Sequence, residues 1–501
     1  MTRRLTALLL LLLLALAGCS QILEPVEEPA GGQEGEEPAA AATPAVAWSG
    51  AAVFDPLTVT DSYDLALTGL VYEGLYRLTD ALTAEPVLCQ SVSVSADGLT
   101  WTLTVKDGVT FHSGAPLTGQ DVADSLNRAR ENADSPYYTR LTGVRSVTAE
   151  GMRVTIRLSA PNARLDRLLD VPVCRQTDSG FYDGTGPYRP DPADEGRLIA
   201  FDGWHGGALA YEEVLLEEAA DADVAYYRFE SGDVHLALSP ALTAAGHSFT
   251  GNVQLLSQQT TTLHYLGVNC RDAVLSSAEA RRALSAVLDR AAVCEEALQQ
   301  HATPLYTPAL PAAQQEPAAA DAETVAQLLT AAGLADGNGD GVWQRGSRES
   351  SPNWAPEILV CQDNPYKVAA AQLFAEQLAE YGVTAEVVTV DEQTFLERVQ
   401  AGNFDLYYGE VTLTADWDFT PLLTGALNYG GFSAEDTAQA LSDVRQRGDD
   451  AALIDLFDTQ VPLLLIGAQV DDVVVGRRAV AGLSPLPHAP YGDPAQWGVS
   501  A

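Results

Sequence analysis

Lys106-Asp107-Gly108-Val109-Thr110-Phe111-His112-Ser113-Gly114-Ala115-Pro116-Leu117-Thr118, followed by Asp121-Val122, is the stretch that decides the fold. Lys106-Asp107-Gly108 turns the chain, and Thr118 stands where a side chain can cap a helix, with Asp121 near the positive end of its dipole. Val122, Leu126 and Ala129 then share one helical face. Upstream, Val92 and Val94 alternate with serines, Ala96-Asp97-Gly98 reverses the chain, and Trp101, Leu103 and Val105 alternate with threonines on the way back. Downstream, Met152, Val154, Ile156 and Leu158 alternate with Arg153, Thr155 and Arg157, predicting a strand with one wet face. Residues 90 to 158 therefore read as β-hairpins around one helix. The period changes at Val368–Val390. Ala370, Leu373, Phe374, Leu378 and Tyr381 form a helical stripe, Gly382 ends it, and a β-rich run follows. An antiparallel α+β part thus precedes an α/β part.

Composition bounds what such a chain can do. Of its 501 residues, 47% are apolar and the formal net charge is −40. No basic run follows Arg4, so the counterion release that drives nucleic-acid binding has no source, and nucleic acid is excluded as a partner. Lys106 and Lys367 are the sole lysines among 28 basic residues, which reads as genomic bias rather than as a property of a ligand. Without its leader the chain has about 480 residues, enough for two or three lobes.

The leader is Met1–Gly18. Arg3 and Arg4 precede an uncharged apolar run from Leu5 to Ala17. That run is too short for a membrane span, which needs about 20 residues, and reads as a cleaved export signal. Leu16-Ala17-Gly18-Cys19 resembles the bacterial lipobox, in which the cysteine thiol takes a diacylglycerol and becomes the new N-terminus. Cys19 is the expected lipidation site, and the protein is expected outside the cytoplasm, tethered to the cell membrane. Residues 19–47 read as the tether, since Ser20–Ala47 has six glutamates, four prolines and neither aromatic nor basic residues, a composition that stays disordered. The remaining cysteines, Cys89, Cys174, Cys270, Cys294 and Cys361, are widely spaced with no C-x-x-C, and their odd number forbids complete pairing. Disulfides and buried thiols both fit that spacing.

Catalytic signatures are missing: no G-x-S-x-G, no H-E-x-x-H and no phosphate-cradling glycine loop occurs, and the seven histidines are scattered. Neither a metal nor a cofactor is expected. Asp336-Gly337-Asn338-Gly339-Asp340-Gly341 copies the first half of a calcium loop, but Ser347 stands where the bidentate glutamate belongs, so a tight Asx-rich turn is the better reading.

A series of segments carries a resemblance: Val71-Tyr72-Glu73-Gly74-Leu75-Tyr76, Asp97-Gly98-Leu99-Thr100, the opening stretch, Gly184-Thr185-Gly186-Pro187-Tyr188, Ser231-Gly232-Asp233-Val234, Ala280-Arg281-Arg282-Ala283-Leu284 and Gly402-Asn403-Phe404-Asp405. In this order they resemble the family 5 extracellular solute-binding proteins, the oligopeptide, dipeptide and nickel receptors of ABC importers. The resemblance implies an α/β fold of the periplasmic-binding-protein type (type II, cluster C): a two-lobed flytrap with an extra α+β domain. Domain I would comprise 48–76, 174–262 and 468–501, domain II 77–173 and domain III 263–467, with hinge crossings near Thr261–Leu266 and Leu463–Gln469. The implied function is capture of a peptide or small solute by a non-enzymatic, monomeric receptor that docks on permease subunits. A nickel chelate, haem or a signalling peptide is the alternative cargo.

The family's ammonium-binding aspartate maps to Asp416, with Trp417 beside it, if two residues are inserted in the loop; Glu410 takes the place of the usual tryptophan. By position in the family fold, Thr60, Asp61, Tyr63, Ser239, Thr262, His264 and Tyr265 would line the opposite wall and floor. The dipeptide receptors' carboxylate-binding arginine has no counterpart in Cys361-Gln362-Asp363-Asn364-Pro365.

Overall fold

The computed structural model describes residues 43–50, 55–177, 182–243, 247–251, 253–476 and 480–498; the leader, Cys19 and most of the tether lie outside the described residues. The hairpin part forms as its alternation demands. Cys89–Val94, Thr100–Val105, Arg153–Leu158 and Val144–Glu150 make an antiparallel sheet in that order. Trp101, Leu103 and Val105 point inward, as do Val154 and Ile156. The helix Gly119–Glu131 packs on this sheet, burying Val122, Leu126 and Ala129. At its start the Asp121 carboxylate accepts the Thr118 backbone N–H at 2.9 Å and hydroxyl at 2.6 Å.

The tether ends earlier than its composition suggests. Ala45–Trp48 is a strand, parallel to Glu213–Glu218 and Leu236–Ser239, with Ala45, Val46 and Ala47 buried. Averaging over a glutamate- and proline-rich segment hid a short apolar run that suits a strand covered on both faces.

Among the described residues, eleven strands form one mixed sheet. Two of them, Gln254–Val268 and Leu463–Val475, are long and include the segments Thr261–Leu266 and Leu463–Gln469. They pair antiparallel from Gln254 opposite Val475 to Gly267 opposite Leu463, and the register breaks between Gln259 and Leu263. On one side of the break Leu463–Val475 carries Leu236–Ser239; on the other, Gln254–Val268 carries Leu406–Thr412. Beyond this last strand come Glu357–Cys361 and Glu386–Val390 in parallel, joined through the helix Pro365–Glu380 that the stripe predicts. Gly382 follows that helix with φ of 76°.

Burial follows this layout. One core runs without a break from Val46, Leu70 and Tyr188 into Trp101, Leu103 and Ile156, so the hairpin region shares its interior with the first lobe. The α/β region has a core on each face of its sheet: Leu464 and Ile466 enter one, Leu463 and Leu465 the other. Cys89, Cys174, Cys270, Cys294 and Cys361 are all free thiols. Among the described residues, no helix is long and apolar enough to cross a membrane.

Candidate functional site

The loop after Leu406–Thr412 delivers Thr414, Asp416 and Asp418 to a crevice of about 370 Å³ whose opposite wall is the segment 158–168 of the hairpin region. Asp416 is held from both sides. Its Oδ1 accepts the Thr414 hydroxyl at 2.5 Å, and its Oδ2 accepts the Asn162 amide at 2.8 Å. Arg164 reaches the backbone carbonyl of Asp416, 3.3 Å away, and saves its ion pair for Asp450 at 2.7 Å. Among the described residues no basic group lies within ion-pair distance of the Asp416 carboxylate. Burial therefore pushes its pKa above the ordinary carboxylate value, with Asp418 adding repulsion and the two hydrogen bonds opposing the shift. Arg167 acts on this carboxylate through space, and Arg445 lines the same crevice with its ion pair to Asp418 at 3.6 Å.

Glu410 lies one strand-length earlier, directly across from His264 in register. It is partly exposed and forms an ion pair with Lys367 at 2.9 Å, so it already has its cation. Thr262 is half-buried, with its hydroxyl 3.0 Å from that of Thr412. Ser239 closes its strand opposite Asp472. Thr60 and Asp61 are exposed, and Asp61 caps the helix Ser62–Val71, accepting from the N–H groups of Tyr63 and Asp64 at 2.9 and 3.1 Å.

Four expected ligand contacts are placed in the interior instead. His264 is 0% exposed, between Gln469 Oε1 at 3.1 Å and the Tyr408 hydroxyl at 3.3 Å, and burial lowers its pKa so that it stays neutral. Tyr265 is buried with its hydroxyl 3.1 Å from that of Tyr407. Tyr63 packs with Phe229 and Val474, and Trp417 sits in the α/β core. The reason is common to the two crossing residues. A strand covered on both faces buries alternate side chains in opposite cores, so neither set reaches a cleft. Conversely, Asn162, Arg164, Lys367 and Asp450 were not anticipated; no local pattern marks them, because their partners lie far away in sequence.

The calcium-like loop is exposed and closes on itself. Asp336 accepts the N–H groups of Gly339, Asp340 and Gly341 at 2.7, 3.1 and 3.0 Å, as an Asx-rich turn should.

Two long antiparallel strands thus join the part of the sheet that carries Leu236–Ser239 to the part that carries Leu406–Thr412. The chain belongs to the bacterial extracellular solute-binding proteins, family 5, whose pattern matches residues 83–431. It is accordingly a solute-binding protein of an ABC importer and not an enzyme. It is 25% identical to the glutathione-binding protein GsiB of Salmonella paratyphi A over 398 residues, 74% of this chain and 75% of that one. The fold is similar to that of the periplasmic murein tripeptide binding protein MppA in its unliganded open form. The TM-score is 0.74 at 16% identity, covering 91% of this chain and 97% of the other. It is also similar to a nickel ABC transporter protein from Bacillus halodurans, with a TM-score of 0.72 at 19% identity over 90% and 98% of the two chains.

Proposed function

We propose that this protein is a lipid-anchored receptor for peptides with a free N-terminus, which it captures by hinge closure and hands to a permease. The observation that carries the reading is Asp416, a buried carboxylate that has neutral donors on both oxygens and, among the described residues, no ion-pair partner. A peptide ammonium supplies the missing charge, and a carboxylate at the end of a closing crevice selects for it. The relatives named for glutathione and murein tripeptide are compatible with a short peptide bearing a free amine. Closure is a rotation of domain III (263–467) against domains I and II about the break in the two long strands, where ladder pairing between Gln259 and Leu263 is interrupted. The receptor acts as a monomer, and the surface formed on closure docks on the permease.

Thermal shift with glutathione, short alanyl peptides, their N-acetylated forms and nickel–histidine tests the reading. A ligand that binds only the folded protein adds RT ln(1 + [L]/Kd), roughly 2.7 kcal/mol at a hundredfold excess over Kd. Free-amine peptides are expected to raise the melting temperature and acetylated ones to leave it unchanged. Stabilisation by nickel–histidine alone would move the assignment to chelate transport. The anchor is tested separately. Cys19→Ser removes the one thiol that can take the diacylglycerol, so the variant is expected in the soluble fraction. Recovery of the variant with membranes would refute the lipid anchor.

A further inference from the structure

A second cavity, of about 550 Å³, lies in the first lobe and shares no lining residue with the Asp416 crevice. Its apolar walls follow from register. Val46 pairs with Leu216 and Leu198 with Val214, so Trp48, Leu198 and Leu216 share one face of the sheet. Across from them, Leu67 and Val71 stand one helical turn apart on the helix Ser62–Val71. The volume falls within the roughly 300–1,000 Å³ usual for a small-molecule site.

Four carboxylates and one guanidinium also line the cavity, and they differ in what they already hold. Asp64 accepts the Ser49 N–H at 2.9 Å and its hydroxyl at 2.5 Å. Asp183 accepts the Ser113 N–H at 3.3 Å, with His112 Nδ1 3.9 Å away. Asp191 is ion-paired with Arg197 at 2.5 Å, and Glu195 is exposed to solvent. Arg189, on the edge strand Tyr188–Asp191, is half-buried. Among the described residues its guanidinium has neither a hydrogen bond nor an ion pair, although Asp191 and His112 feel its charge through space. A guanidinium offers a planar fork of N–H donors that matches a carboxylate on two bonds. Apolar walls beside one unmatched fork suit an amphipathic anion, since the walls take its body and the fork takes its head. A cation would meet Arg189 and find each buried carboxylate already supplied with donors.

We infer that this cavity is an accessory site for a small monocarboxylate with an apolar body, and that Arg189 binds its carboxylate. The inference uses no residue of the Asp416 crevice and stands or falls apart from the peptide reading.

The test uses the full mature chain and ω-bromoundecanoate, because bromine quenches a tryptophan only at close range and Trp48 lines the cavity. Quenching is expected to saturate, to be reversed by unbrominated undecanoate and to disappear in Trp48→Phe. The wild-type protein should bind the acid more tightly than ω-bromoundecanol, its neutral counterpart. Arg189→Gln, shown to be folded by near-ultraviolet circular dichroism, should lose that preference. In isothermal titration it should bind undecanoate more weakly by on the order of tenfold to a hundredfold, the loss that follows when a hydrogen bond between charged groups is removed. Arg189→Lys keeps the charge without the fork and should fall between the two. Quenching that never saturates or that survives in Trp48→Phe would overturn the site. Equal affinity of the wild-type protein for the acid and the alcohol would overturn it too, as would undecanoate bound by folded Arg189→Gln as tightly as by wild type. Should Arg189→Gln fail to fold, the comparison of acid with alcohol in the wild-type protein decides.

Discussion

Asp416→Asn is expected to weaken binding of a free-amine peptide by 30-fold to several thousandfold. The variant keeps the size of the side chain and a partner for Asn162, and removes only the charge. An ammonium drawn out of water into the crevice would then find only Asp418, which already has Arg445 as its cation. Losing one partner of a buried charged pair typically costs about 2–5 kcal/mol, which is the range stated. N-acetylated peptide supplies the second arm of the measurement. Wild type should reject it, and the variant should lose most of that discrimination. The pH dependence carries an independent sign. Burial raises the pKa of Asp416, and only the ionised form attracts an ammonium. Wild-type affinity is therefore expected to fall on acidification from a pH above the ordinary carboxylate range of about 3.9, while the variant's affinity stays flat across that interval. Glu410→Gln is the control. Glu410 already has Lys367 as its cation, so the change should disturb local charge more than affinity. Isothermal titration in which Asp416→Asn binds as wild type does and Glu410→Gln fails would transfer the ammonium site to Glu410.

What could be read in advance depended on whether the signal was local. Trp101, Leu103 and Val105 alternate with threonines, and a period of two with one wet face places each side chain without knowledge of the rest of the chain. The helix Pro365–Glu380 and its glycine terminator are equally local. His264 and Tyr265 sit in a long strand, and alternation distinguishes an inside from an outside only when one face is wet. Here both faces are covered, and both residues are buried. Asp416 is assigned by resemblance through an insertion-dependent alignment, and the structure shows it as a buried carboxylate hydrogen-bonded to Thr414 and Asn162. Asn162 and Arg164 were invisible for a different reason. Their partners lie 254 and 286 residues away, and an Asn-Ala-Arg tripeptide announces nothing by itself. Leu82 misleads outright, since an exposed-looking turn holding one leucine gives no sign that it fills another lobe's core.

Asp170 makes the same point for stability. It joins Arg140 of the hairpin region at 2.6 Å and His488 of the C-terminal segment at 2.7 Å, and its carboxylate is almost inaccessible. Burial alone would raise its pKa, but Arg140 and His488 together hold it well below the usual carboxylate range. Its folded-state pKa thus lies beneath the unfolded value of about 3.9. The stabilisation is complete above that value and is lost as pH falls through the folded pKa, because the unfolded chain then binds the extra proton. Asp170→Asn leaves the half-enclosed Arg140 guanidinium without its anion and frees the C-terminal segment from its link to the hairpin region. Breaking such a pair by removing one partner is expected to lower stability by about 3–5 kcal/mol at pH 7. Urea unfolding at pH 7 should show that loss, and a series down to pH 3 should show a shallower acid decline in the variant than in wild type. A variant as stable as wild type at pH 7, or one that declines with the same slope in acid, would mean that the carboxylate adds no net stability. The C-terminal segment would then be held by the burial of Leu483, Tyr491 and Trp497 in the shared core, without help from charge.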